Sequence, residues 1–257
     1  MQHNPTPGVP GQYPPAAKRR QPVFDPGPFR RGDFVVLAAY LLLFIVGLAG
    51  FLLFIPGFRD VFTTPDTAQF AVNLIAYAVL FTGAMIMSFS ALRESFRTFL
   101  YHPWAKGFLV PGAWLGSLIV TASILMTMGE AVKSENQLAI EGMTTSVPFP
   151  TMFVAAVVMG PFVEEYIFRH LLIGKLSRWI NVWVCVAISI LLFAGIHFVG
   201  AGSFDVTSLV PYLTLGTVIS VAYVLSGKSL AYSYVLHLFN NGVALVLAYT
   251  VLPLLEQ

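Results

Sequence analysis

The sequence predicts an all-α fold, a polytopic transmembrane helix bundle of about seven to eight spans, and three observations predict it. Hydrophobic types make up 57% of the 257 residues and only 10% are charged, where an average globular protein has about 25%. The mean hydropathy is +0.78. The apolar residues also fall in runs of about 20, the length that carries a helix across a hydrocarbon core. Within lipid, a single run satisfies all its backbone groups only as a helix. Little chain is left for a separate soluble domain. The net charge of +2, with no dense basic stripe, argues against nucleic acid as a partner. Membrane lipid is the medium the composition implies.

Taken in order, residues Met1 to Asp33 come first, with eight of the seventeen prolines and five of the fourteen Lys/Arg. Such a stretch buries too little apolar area to offset its ordering entropy, which predicts a disordered, Pro-rich, basic cytoplasmic tail. Residues 34–257 form the transmembrane helical domain. Its apolar runs give seven spans: 34–55, 68–91, 108–128, 149–168, 181–197, 206–225 and 230–252. Drawn this way, twelve Lys/Arg lie on the side of the tail, and only Arg59 and Lys133 on the other. Cytoplasmic loops retain positive charge, so the N-terminus is expected in the cytoplasm and the protein in the cell (plasma) membrane. Cys185 lies in an apolar run and needs only a packing role.

Ten of the twelve acidic residues fall in the tail or in connectors. Glu164 and Glu165 do not, and an unpaired carboxylate in an apolar segment costs several kcal/mol. Glu165 and Arg169 are four apart and share a helical face, which predicts an ion pair. Glu164 is turned about 100° away and has no local partner. His197 and His237 also lie within apolar runs, and His237 shares a helical face with Asn241. Three intramembrane polar clusters on three segments point inward and mark a site.

Glu164 and His197 are equally far from the polar hairpin tip at Ser177 to Asn181, about 25 Å at 1.5 Å per residue. His237 is only about 13 Å from Lys228 on the same rise. The estimates agree if the hairpin projects about 10 Å beyond the lipid, and they predict a wet site open to the cytoplasm. One carboxylate, two imidazoles and an amide in such a cavity suit addition of water to an acyl carbon. A desolvated carboxylate takes the proton, an imidazole orients the water, and donors face the developing oxyanion.

The run Glu164-Glu165-Tyr-Ile-Phe-Arg169, then Phe193-x-x-x-His197, then His237-x-x-x-Asn241, in this order on successive hydrophobic segments, resembles the CPBP family of intramembrane proteases, relatives of the type II CAAX prenyl endopeptidases (Abi family). The resemblance covers a catalytic core of about 149–245. It implies a peptidase in which Glu164 and His197 activate water, His237 and Asn241 form the oxyanion hole, and Glu165 with Arg169 gives support. The substrate it implies is a membrane-associated or C-terminally lipidated peptide. Where family members often have glycine after the arginine, this chain has His170, and the eukaryotic relatives have eight spans. Glu164, His197 and His237 also make a His/His/Glu zinc set with one open position; lacking a His-Glu-x-x-His helix, the sequence favours the metal-free scheme. Two other classes fit the same residues: a non-catalytic scaffold or bacteriocin-immunity protein on this fold, and a proton-coupled transporter using Glu164 and the histidines as a relay. No internal repeat supports the transporter.

Overall fold

The computed structural model describes residues 20–129, 138, 141–199, 205–251 and 254. Among these, seven helical segments follow the apolar runs, and no strand occurs. Helix α1 (Arg31–Ile45) ends in a π turn and is followed, after Gly47 at φ 79°, by a 3-10 segment (Leu48–Phe54) bent from it by 55°. Helix α2 (Pro65–Ser95) starts with proline at its first position, where a missing N–H costs nothing, and Thr64 Oγ1 accepts from the Thr67 amide. Helix α3 spans Pro103–Met128 and α4 spans Phe149–Arg178. Helix α5 (Val182–Ile196) is capped by Asn181, α6 (Val206–Leu225) by Asp205 and α7 (Leu230–Thr250) by Ser229. Each cap accepts amide hydrogens that the first turn leaves unpaired.

Helices α2, α3, α4, α6 and α7 are long and apolar enough to cross a membrane, and α1 with its bent continuation makes a sixth. By length and composition this is fewer than the seven to eight spans expected, although the ends of α4 and α6 both meet the tail, so the chain also crosses the bundle through α5. The apolar run assigned to α5 yields 15 helical residues, about 22 Å at 1.5 Å per residue, short of a hydrocarbon core about 30 Å thick. The end of the last span at Leu252, Lys133 of the charge comparison and residues 1–19 of the tail lie outside the described residues.

Helix α4 is the centre of the bundle. In its apolar window 67% of the residues are buried, against 11% for α3, so α3 gives most of its surface to lipid. Two stretches of α4, Phe153–Met159 and Glu165–Lys175, are π-wound. Carbonyls on these turns accept hydrogen bonds from other helices: Asn241 Nδ2 to Ala156 O at 2.9 Å, Tyr234 Oη to Val158 O at 3.1 Å and Ser189 Oγ to Phe168 O at 2.7 Å. Such turns recur at functional sites, and here they key α4 to α5 and α7.

The described part of the tail differs from the disordered segment expected. Phe24 is buried, its amide donates to Gly227 O at 2.8 Å, Gln21 Nε2 donates to Leu225 O at 2.5 Å, and Asp25 pairs with Arg178 at 3.1 Å. Gly227, at φ +78°, has the Pro22 carbonyl where a Cβ would stand, so the strap fits only over glycine there. Asp33, expected among the solvated acids, is fully buried. It accepts from Lys175 Nζ and Tyr166 Oη, both at 2.6 Å. Two charges out of water hold only when paired and hydrogen-bonded, and this trio fastens the start of α1 to α4.

Candidate active site

Glu164 and Glu165 sit where the α turn Gly160–Glu164 passes into the second π stretch. Glu165 is fully buried, and its Oε1 lies 3.0 Å from Arg169 Nη1 and 2.9 Å from His237 Nδ1. The expected i, i+4 pair is thus present, with a third member brought in from α7. Arg169 Nη2 donates to Gly216 O at 3.4 Å, and its guanidinium stands 4.3 Å over the Phe193 ring, a cation–π contact. Phe193 in turn meets His197 and His237 edge-on, with centroids 5.1 and 5.7 Å away. It comes this close to α6 because position 216 is glycine: a Cβ there would stand 3.0 Å from the Phe193 ring.

The orientation of each polar group follows from its fixed partner. His237 donates from Nδ1 to Glu165, which turns Nε2 toward Glu164 Oε2 at 3.6 Å. His197 Nδ1 donates to Phe193 O at 2.8 Å, so in the neutral ring Nε2 keeps the lone pair. Its ring stacks on Tyr212 at 4.0 Å and 25°. Asn241 accepts at Oδ1 from Asn240 Nδ2 at 3.0 Å and donates one amide hydrogen to Ala156 O. A carboxamide carries two hydrogens on nitrogen, so one donor remains.

Glu164, His197, His237 and Asn241 all line one cavity of about 890 Å³. Glu165 and Arg169 are not in its lining; they stand behind the wall and hold His237. Sequence reasoning missed four contributors. Asn240 was visible only as a neighbour of Asn241, and Tyr212, Tyr40 and Tyr77, which also line the cavity, carry no spacing signal because they come from separate helices. The expected projection of the hairpin tip is not seen: Lys228 Nζ donates to Ser177 Oγ at 2.8 Å, so the two stand level within one lysine side chain. The 1.5 Å rise overstates the length of α4, since i→i+5 turns advance less per residue. Nor does the cavity open toward the tail, for beneath Glu164 the residues Tyr166 to Leu171 are at most 4% exposed. Phe198 and Val199 continue from His197 in turns.

Among the described residues no three His, Cys, Asp or Glu side chains are grouped to hold a metal ion; His237 has Nδ1 on Glu165 and presents Nε2 to the cavity.

A family model described as type II CAAX prenyl endopeptidase Rce1-like matches residues 146–243, the stretch that carries all six of these residues. Over that stretch the chain is similar to the CPBP family of intramembrane proteases. The matched stretch runs from the start of α4 through most of α7. One relative, the membrane-embedded CAAX protease MroQ of Staphylococcus aureus (strain USA300), is 28% identical over 154 residues, 55% of this chain and 59% of that protein. An uncharacterized protein of Mycoplasma capricolum is 26% identical over 191 residues, 68% of this chain and 55% of that protein. The chain thus spans somewhat over half the length of these curated relatives. No solved structure matches it.

Proposed function

We propose that this chain is an intramembrane endopeptidase that hydrolyses peptide bonds of membrane-associated peptides with a water activated by Glu164 and His197. The observation that carries the reading is the convergence of Glu164, His197, His237 and Asn241 on one cavity. Its walls include Tyr40, Phe44, Phe70, Leu118 and Leu245, apolar surface suited to a substrate held in or against lipid, whether an apolar peptide or a C-terminally lipidated one.

Water bound between Glu164 and His197 Nε2 gives its proton to Glu164 as its oxygen bonds to the scissile carbonyl carbon. The carbonyl π electrons move onto oxygen, which is held by the second amide hydrogen of Asn241 and by Nε2–H of His237, which acts here as the doubly protonated ring set between Glu164 and Glu165. Collapse of this oxyanion breaks the C–N bond, and the proton on Glu164 passes to the leaving nitrogen. The products are an amine and a carboxylic acid, which releases its proton to solvent and leaves as the carboxylate. Preorganised donors of this kind contribute about 10²–10³ in kcat each. Glu165, anchored by Arg169, keeps His237 turned toward the oxyanion; it orients and does not react.

The full chain in liposomes with a membrane-anchored reporter peptide tests the reading. His197→Ala and Asn241→Ala are expected to lose about 10²-fold or more in kcat with the helical fold intact, and metal chelation is expected to leave cleavage unchanged. Wild-type cleavage that chelation abolishes and zinc restores contradicts the metal-free scheme. Variants as active as the wild type contradict the site.

A further inference from the structure

The cavity has a direction. Glu164 and His237, near the middle of α4 and α7, are its floor, and from them the lining runs only one way: past Asn73 to Gln69 on α2, past Pro211 to Ser208 on α6, and out to Ala248 on α7. The helices alternate in direction, so all these positions point to the end away from residues 20–33. Toward the other end the bundle is solid. Phe168, Arg169, Leu171, Ile173 and Lys175 on α4, and Leu230 to Ser233 on α7, are at most 4% exposed, and the strap of residues 20–30 lies across helix ends there.

The two ends also differ in charge. Cross-contacts gather the strap, the turn after α2, the hairpin after α4 and the turn before α7 at one end: Asp25 to Arg178, Ser229 Oγ to Ser95 O, and Tyr232 Oη to Lys106 O. Among the described residues this end holds nine Lys/Arg (Arg169, within α4, apart) and three acids; the end where the cavity opens holds Arg59 against Asp60, Asp66, Glu141 and Asp205. Basic residues near span ends stay on the cytoplasmic side.

We propose that the cavity opens to the non-cytoplasmic face of the membrane, and that its substrate is a peptide presented from that face, exported or anchored with its scissile segment outward. The sidedness follows from packing and charge alone; the choice of a peptide rests on the peptidase reading above. A tail held in the cytoplasmic leaflet meets the closed end of the bundle.

Thiol labelling in intact cells tests the sidedness. Cys185 is the only cysteine and is buried, so a Cys185→Ala background carries single cysteines at the mouth (Gln69→Cys, with Ala248→Cys as a second position) or at the closed end (Arg97→Cys). A membrane-impermeant maleimide is expected to label the mouth positions in intact cells and Arg97→Cys only after permeabilisation. Mouth positions that react only after permeabilisation, or Arg97→Cys reacting in intact cells, overturn the proposal. A second arm presents one reporter segment from an outward-facing or a cytoplasm-facing anchor. Cleavage of the outward reporter alone supports the substrate class, and cleavage of the cytoplasmic reporter alone overturns it. If neither reporter is cut, the peptidase reading fails while the labelling still decides the side.

Discussion

Arg169 is the side chain on which the buried charge of α4 depends. It neutralises Glu165, donates to Gly216 and rests on Phe193. Removing one member of a buried pair leaves a charge without water or partner, at a cost of about 3–5 kcal/mol. Arg169→Met is expected to destabilise by that amount in detergent-solubilised thermal or denaturant unfolding, whereas Glu165→Leu with Arg169→Met regains most of the stability. The double variant is still expected to be slow, because His237 Nδ1 loses the acceptor that orients it. Equal losses in the single and double variants contradict this division of labour. The Glu165–Arg169 pair was legible from four-residue spacing. The Glu165–His237 contact was not, since 72 residues separate its members and no helical periodicity reaches across that gap.

At the level of the element, two features decide how α4 and α6 sit. Asp33 and Lys175 join the start of α1 to the end of α4 with both side chains out of solvent. The sequence counted Asp33 with the solvated tail and Lys175 with the basic residues of the cytoplasmic side, because a charge at the end of an apolar run carries no sign of burial. Asp33→Asn alone leaves the Lys175 ammonium uncompensated and is expected to cost about 3–5 kcal/mol, read as a lowered unfolding midpoint; Asp33→Asn with Lys175→Met costs less. Asp205 caps α6, and the Thr207 hydroxyl, with the Thr207 and Ser208 amides, holds its carboxyl below the ordinary value near 3.8. A depressed pKa stabilises above the unfolded value and fades as pH falls through the lower folded one. Exchange of the Thr207 and Ser208 amides is therefore expected to stay slow from neutral pH down to about 4 and to quicken below that. Asp205→Ala removes the dependence, and a cap that loosens on raising the pH contradicts it. The apolar runs were legible. The π turns of α4 were not, since their i→i+5 ladder is set by cross-helix partners on α5 and α7 that only the fold supplies.

Over the whole molecule, a central and mostly buried helix carries two adjacent glutamates to mid-depth, and the neighbouring helices, α1 to α3 and α5 to α7, line a chamber above them on one side only. The sequence held the fold class and all four proposed reacting groups, because charge inside apolar runs is conspicuous. Which way the chamber opens was hidden, because it depends on how large side chains such as Tyr166 and Phe168 fill the space beneath. In the proposed mechanism Glu164 moves the proton of the attacking water. Cleavage of a membrane-anchored peptide by wild type and Glu164→Gln, each reconstituted at matched, folded concentration, measures this most directly. A fall of about 10²–10⁴-fold in kcat, with KM and the unfolding midpoint little changed, is the result the account predicts; a Glu164→Gln protein that cuts at the wild-type rate would contradict it.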